Sequence, residues 1–435
     1  MVEVKRIVVV GAGPAGMMAA IRAAQLQQDV TLIEKNSLPG KKLLLSGKGR
    51  CNLTNLCELE PFLKRFSKNG QFLRDAFKKF FNRDLINFFE KRGLKLKVER
   101  QLRVFPVTDK SNSVLEALKK ELQKNKVNPH TKIFGVGVKI IYNTSMKDIL
   151  MRDNKVKGVV LVDGRIISCD KVILATGGVS YGFTGSTGEG LEIARRLGHS
   201  ITGLRPGLVP LETRQKYVKG LEGLTLKNIR LKFTQHQHGA GFSDGQRQII
   251  SEIGELLFTG FGISGPLVLT LSGQIVEWLS ENKHVYVEID LKPALSREQL
   301  NARLLREFAL NSKKTLKNTL KNLLPQRLIA CFIDIAKLNP DKKVSQVTKP
   351  ERESLISLLK GLHLDIVKPR PIEEAMITRG GISLKDVNPA TMESRRIKGL
   401  YFAGEMLDVD ADTGGFNLQA AFSTGYLAGE SASLN

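Results

Sequence analysis

Residues 7–34, IVVVGAGPAGMMAAIRAAQLQQDVTLIE, decide the fold. The apolar, β-branched run at 7–10 reads as a strand, and Gly11, Gly13 and Gly16 follow it at once in G-x-G-x-x-G spacing. Residues 15–27 read as a helix rich in Ala and Met, and residues 30–34 as a second strand ending on an acid. This is a complete βαβ unit. The first glycine permits a tight turn, the second lets a pyrophosphate approach the backbone, and the third lets helix pack on strand. Phosphates would then meet the open N–H groups at the positive end of the helix dipole. Glu34, about twenty residues on, stands where a carboxylate receives ribose hydroxyls. A merely tight structural turn would need neither the flanking elements nor the terminal acid.

One such site leaves nicotinamide and flavin dinucleotides open. No second copy of the motif is found, because G135-V-G137 and G239-A-G241 lack the third glycine and the flanks. Cys51 and Cys57 stand in C-x5-C rather than the C-x4-C of a glutathione reductase redox pair. Two further segments favour flavin. VILATGG (172–178) is an apolar strand closing on Thr176, Gly177 and Gly178, and LYFAGE (400–405) closes on Gly404 and Glu405. Both resemble the later dinucleotide contacts of flavoproteins, with Glu405 in place of the usual Asp.

The 435 residues carry 67 Lys+Arg against 43 Asp+Glu, a formal charge of +24. With 42% hydrophobic and 25% charged residues the chain is globular, and its length allows two or three domains. No stretch reaches the roughly 18 apolar residues of a membrane-spanning helix. The apolar run behind Lys5 and Arg6 mimics a signal peptide, but the glycine turn interrupts it. Four scattered cysteines make no disulfide framework, so a cytoplasmic location is expected. No metal is expected: the histidines and cysteines lack zinc spacing, and His236 and His238 in QHQHGAG read as a polar turn.

Residues 40–55, GKKLLLSGKGRCNLTN, are neither a clean helix nor a clean strand. Gly40, Gly47 and Gly49 would let the backbone pass close to a ligand, and Lys41, Lys42, Lys48 and Arg50 add positive charge. Ser46, Asn52, Thr54 and Asn55 add hydrogen-bonding groups. Here the chain resembles the BaiN-type NAD(P)/FAD-dependent oxidoreductases, a bacterial flavoprotein family that includes aminoacetone oxidases. The resemblance continues in RVFPVTDKS (103–111), TGSTGEG (184–190), LFTGFGISGP (257–266) and AGEMLDVDADTGGFNLQAAFSTG (403–425).

The resemblance implies an α/β architecture: a Rossmann-like FAD-binding domain of the glutathione reductase-like fold, interrupted by an inserted domain. It implies that Gly11, Gly13, Pro14, Ala15 and Gly16 hold the pyrophosphate and that Glu34 and Lys35 lie at the adenosine ribose. Lys42, Ser46, Gly47, Gly49, Arg50, Cys51, Asn52 and Thr54 would line the pyrophosphate, ribityl chain and ring. Val138 and the 176–178 and 404–405 segments would complete the cofactor contacts. Lys48, Gly260 and Val179 depart from the family, which commonly has Gly, His and Lys there; the last two bear on the substrate rather than on FAD.

Asp408, Asp410 and Asp412 begin like an EF-hand, but Thr413 stands where Gly is needed and Gln419 where Glu is. The segment reads instead as a loop opening a helix at Gly414, Gly415, Phe416 and Asn417. That helix's N-terminus would face the flavin's pyrimidine edge and stabilise the charge of the reduced ring. Tyr181, Asp408 and Asp412 are the candidates for acid–base work, each against a reading as a hydrogen-bonded turn residue.

The FAD domain is expected over 1–195 and 371–435, with a substrate or cap insert at 196–370. Within the insert, 201–290 reads as an antiparallel, barrel-like β unit and 296–362 as helical. KKTLKNTLKNLL (313–324) reads as one amphipathic helix with a solvated basic face. The leading expectation is an oxidoreductase moving hydride between a small-molecule substrate and FAD, with NAD(P)H or oxygen as second redox partner. Amine oxidation and double-bond reduction both fit. The rivals are a flavin-dependent RNA-modifying protein, which +24 would suit, and a non-catalytic FAD carrier.

Overall fold

The computed structural model describes residues 4–124, 138–236 and 246–435. They form two compact units, Met1–Gly207 with Ile372–Asn435, and Leu208–Pro371.

The first unit is built on a five-stranded parallel sheet in the order Leu400–Phe402, Lys171–Leu174, Arg6–Val10, Asp29–Ile33, Val138–Ile141. Its strands read as unbroken apolar runs because both faces are covered, and Ile7 to Val10 are all buried. The helix Pro14–Gln25 follows the first strand, and the C-terminal helix Phe416–Leu434 lies against it. Small residues permit that approach. A Cβ on Gly425 would stand 2.2 Å from the Ala15 carbonyl oxygen, and one on Gly429 2.4 Å from that of Ala19. Strand Ile201–Gly207 pairs antiparallel with the return strand Ile377–Ile382, so it belongs to this unit rather than to the β unit read over 201–290.

In the second unit seven strands form one sheet, and Thr225–His236 pairs with both Gly254–Thr259 and His284–Asp290, which closes a barrel. His284–Asp290 alternates strictly, with Val285, Val287 and Ile289 buried and the residues between them partly exposed. The inner face is therefore apolar and the outer face polar. The stretch read as wholly β also contains a helix, Pro266–Ser280, which starts at Pro266 behind Gly265 and contacts five barrel strands. Helices Arg297–Leu310 and Lys349–Lys360 begin at capping boxes, Ser296 with Gln299 and Thr348 with Glu351.

Two local readings are corrected. KKTLKNTLKNLL is not one helix: Leu316–Thr319 is a single α turn followed by a 3-10 turn. Thr315 caps one end and Pro325 restricts the other, and the Leu316 and Lys317 amides bond to the Lys342 and Pro340 carbonyls instead. Leu316, Leu320, Leu323 and Leu324 are buried as the pattern requires. His236 is no turn residue but ends a barrel strand, whereas His238, like the 135–137 and 239–241 glycine pairs, lies outside the described residues.

Candidate flavin site

The N-terminal turn has the geometry the motif predicts. Gly11 sits at φ 99°, and a Cβ there would lie 2.5 Å from the Ala175 carbonyl oxygen. One on Gly16 would lie 1.8 Å from the Gly11 oxygen, so that glycine is required for packing. Gly13 is different, since a Cβ would meet nothing within 4 Å. It opens on space. Gly13 also caps the helix with no side chain bonded to its N–H groups, and Pro14 occupies the first turn. An open backbone and an uncapped positive helix end are what a pyrophosphate needs.

Glu34, buried beside this turn, accepts from the Ala12 amide (2.8 Å), the Asn36 amide (2.9 Å) and the Asn36 side chain (2.7 Å). Three donors fix the carboxylate, and its remaining lone pairs can serve ribose hydroxyls. Asn36 also donates to the Thr184 carbonyl (3.0 Å), and the Lys35 ammonium reaches Thr187 (2.7 Å) and Glu189 (3.1 Å). The TGSTGEG segment thus borders the adenosine end.

A second cluster gathers residues far apart in the chain. The Lys42 ammonium donates to Ser180 Oγ (2.7 Å) and Glu405 Oε2 (2.5 Å). Ser180 Oγ donates to Glu405 Oε1 (3.0 Å), and the Thr378 amide to the same oxygen (2.7 Å). Thr378 Oγ1, fully buried, accepts from the amides of Val179 (2.8 Å) and Ser180 (3.0 Å). Gly178 is needed opposite it, because a Cβ would stand 2.3 Å from that oxygen. Thr176 donates to the Met406 sulfur at 3.2 Å, tying the 175–178 turn to the 404–406 turn. Lys42 and Glu405, named separately as cofactor contacts, are thus brought together, while Ser180, Thr378 and Asn36 were not singled out.

The 40–55 segment folds as a short helix, Lys41–Leu45, then an irregular turn in which Gly47, Lys48, Gly49 and Cys51 all have positive φ. Ser46 Oγ bonds back to the Leu43 carbonyl (2.6 Å). Cys51 is fully buried, and burial pushes its thiol up to about 12 despite a hydrogen bond to Ser46. With its amide turned so that nitrogen faces the Thr54 carbonyl, Asn52 donates to that oxygen (3.2 Å) and accepts from the Gly415 amide (3.1 Å). Thr54 Oγ1 donates to Gln419 (2.6 Å), and Asn55 donates to the Gly414 carbonyl (3.2 Å). The start of the C-terminal helix is therefore docked on the cradle. Asn417 closes the preceding loop through both Ala411 backbone groups (2.9 and 2.8 Å).

Some expected contacts lie elsewhere. Arg50 is engaged by Glu99 and by Asp109 (2.7 Å) and lies over the Phe105 ring at 4.2 Å, so the RVFP motif holds it. Phe416 packs in an aromatic cluster, 4.7 Å from Phe62. Val138 pairs with Val30 and its side chain is in the core, away from the carboxyl ends of the strands where ligands bind in such sheets.

Of the acid–base candidates, Tyr181 adopts φ 52° and donates its amide to the Glu373 carbonyl (3.2 Å); burial raises its phenol. Asp408 is half-buried. Burial, helped by neighbouring Asp410, raises its carboxyl above the usual value against the pull of Thr202 and Arg379. Arg379 itself pairs with Asp410 at 3.1 Å. Asp412 donates its amide to Arg65, whose guanidinium lies 3.7 Å from the Asp412 carboxylate.

The family described as HI0933-like protein Rossmann domain matches residues 5–431. The chain belongs to this family. It is 32% identical over 98% of both chains to a 3-dehydro-bile acid delta(4,6)-reductase of Clostridium scindens. It is 30% identical over 96% of both chains to a ribosomal RNA dihydrouridine synthase of Escherichia coli. Among solved structures, the Mycobacterium smegmatis Sdh1 complex in the apo form shares the fold, with TM-score 0.52 and 17% identity over 99% of this chain and 68% of that one. The family member described here is an FAD-binding oxidoreductase. Among the described residues no helix is long and apolar enough to cross a membrane.

Proposed function

We propose that the protein reduces a carbon–carbon double bond conjugated to a carbonyl, with NAD(P)H as electron donor and a uracil ring in RNA as the favoured substrate. One observation carries the reaction type: the two relatives matched over nearly their whole length bear names describing saturation of such bonds, in a bile acid and in ribosomal uridine. Amine oxidation has no counterpart among them. The charge of +24 favours RNA, and basic side chains outnumber acidic ones in each compact unit. A steroid-like small molecule is the second reading, carried by the 32% relative.

Bound FAD supplies the two-electron relay between nicotinamide and substrate. The chain's own residues do the rest. Gly13 and the uncapped helix behind it would take the pyrophosphate, Glu34 the adenosine ribose, and Lys42 and Glu405 would hold the middle of the cofactor. The first turn of the C-terminal helix, beyond Gly415, would offer open N–H groups and a positive dipole end to the cofactor's ring. Asp408, with its raised carboxyl, delivers the proton to the carbon next to the carbonyl while hydride goes to the far carbon. NAD(P)H and one proton are consumed, and the product gains two hydrogens. The second unit serves as the substrate domain.

The test is anaerobic: holoprotein bleached with NADPH or NADH is mixed with uridine-containing RNA or with a conjugated steroid enone. Flavin colour should return with RNA, and nucleoside mass spectrometry should show a uridine heavier by two hydrogens. The reading is wrong if neither acceptor reoxidises the flavin. Asp408→Asn should slow the reoxidation and leave FAD bound.

A further inference from the structure

We infer that the outer face of the barrel is a stacking platform for single-stranded RNA, formed by His236, His284, Tyr286 and His363. This rests on the RNA reading above and names where the polymer docks. The chain has six histidines and six tyrosines, yet three histidines and a tyrosine meet on three neighbouring strands of one face. His236 and His284 are cross-strand partners with rings stacked at 4.8 Å and 10°. Tyr286 lies 5.7 Å from His236 and 4.9 Å from His363. His363 ends the row with its side chain 49% exposed, and that of His284 is 24% exposed.

The face is chemically suited to a polyanion. Its carboxylates already have partners: Asp365 lies 3.2 Å from the His363 ring and 3.9 Å from that of His284, Glu288 lies 2.9 Å from Lys232, and Asp290 lies 2.7 Å from Lys360. Gln215 locks Asp365 through two 3.0 Å hydrogen bonds. Exposed Arg230 sits on the same strand and the same face as His236, where it can meet phosphates. Aromatic rings on a sheet bordered by basic side chains are how single strands are held without sequence readout, because every base has a stacking face.

The test uses full-length holoprotein and a fluorescent uridine-rich single-stranded RNA, with affinity measured by anisotropy at several salt concentrations. His363→Ala and His284→Ala should each weaken binding by about tenfold, within the range for loss of one base stack, with the salt slope unchanged. His363→Phe should restore affinity and His363→Leu should not. Arg230→Ala should instead flatten the salt slope by about one unit. 4-Thiouridine in the RNA should crosslink to peptides containing residues 284–290 or 363. Equal binding by the histidine variants, rescue by Leu as fully as by Phe, or an acidic peptide that binds with the same losses while RNA does not, would overturn the platform. If those variants bind RNA as the parent does while uridine is still reduced, only the platform falls. If RNA binds through the rings but no uridine is reduced, only the proposed reaction falls.

Discussion

Replacing Thr378 with Val tests whether the return strand holds the flavin-site carboxylate in place. The side chains are nearly isosteric, so the change deletes one oxygen and little volume. That oxygen accepts the part-buried amide of Val179 and the buried amide of Ser180 at 2.8 and 3.0 Å and touches Ser180 Oγ at 3.3 Å. Ser180 and Thr378 are both essentially inaccessible to solvent, so water cannot replace the lost acceptor. At about 1–3 kcal/mol for each orphaned donor, with partial relaxation, the loss is about 2–4 kcal/mol. That is a large part of the ~5–15 kcal/mol by which a domain is stable, and corresponds to roughly 5–10 °C in Tm. Ser180 also carries one of the hydrogen bonds to Glu405, so FAD affinity should fall by about tenfold as the carboxylate loosens. Circular dichroism melts of the apoprotein and FAD titration by fluorescence quenching read the two effects separately. Thr378→Ser keeps the hydroxyl and should stay within about 1 kcal/mol of the parent. If the Val variant melts with the Ser variant and binds FAD as tightly, the oxygen is not the pin.

Gly13→Ala should fold with near-native stability and lose FAD affinity, whereas Gly16→Ala should fail to fold, since its Cβ would meet the Gly11 oxygen at 1.8 Å; apoprotein melts with FAD titration distinguish them. Native alkylation at pH 8, followed by mass spectrometry, should label the partly exposed Cys57 and Cys331 before Cys51 and Cys169, whose thiols burial pushes up to about 12. For Asp386, burial raises the carboxyl, but the Ser200 amide (2.7 Å) and Arg396 (2.8 Å) outweigh it and the net shift is downward. A depressed carboxyl contributes stability above its unfolded value near 4, lost as pH falls through the folded one. Asp386→Asn should therefore be less stable at pH 7 and converge with the parent as pH falls from the unfolded value through the depressed folded one. A gap that stays constant across this range in urea titrations would refute the assignment.

What was legible in the sequence is what local mechanics dictate. Gly11, Gly13 and Gly16 act on their own turn and the following helix, so their spacing alone carries the βαβ unit and the cofactor class. The C-terminal helix was legible for the same reason, since Gly414 and Gly415 announce a left-handed entry at φ 132° and 97°. Thr378 was not, because its partners Val179 and Ser180 lie across the whole insert and nothing in MITRGG marks a threonine as an acceptor. Arg50 misled in the opposite direction. A cation in a glycine-rich cradle suggests phosphate, but Glu99 and Asp109 arrive from an antiparallel hairpin that spacing does not reveal. His236 read as a turn residue because glycines follow it, and its pairing with His284 lies many residues downstream.

The contact between the first helix and the last has a temporal consequence. Ala15 and Ala19 are made long before Gly425 and Gly429, which cover them. At ~5–20 residues per second, about 400 residues of synthesis separate the two, or roughly 20–80 s. Through that interval the nucleotide-binding turn has lost neither its glycines nor its strand, but it lacks its covering helix and the edge strand Leu400–Phe402. The second unit, contiguous in sequence from Leu208 to Pro371, is complete before either arrives. The nucleotide-binding turn is thus completed only after the second unit has been made, and its capture of FAD waits on the C-terminal helix.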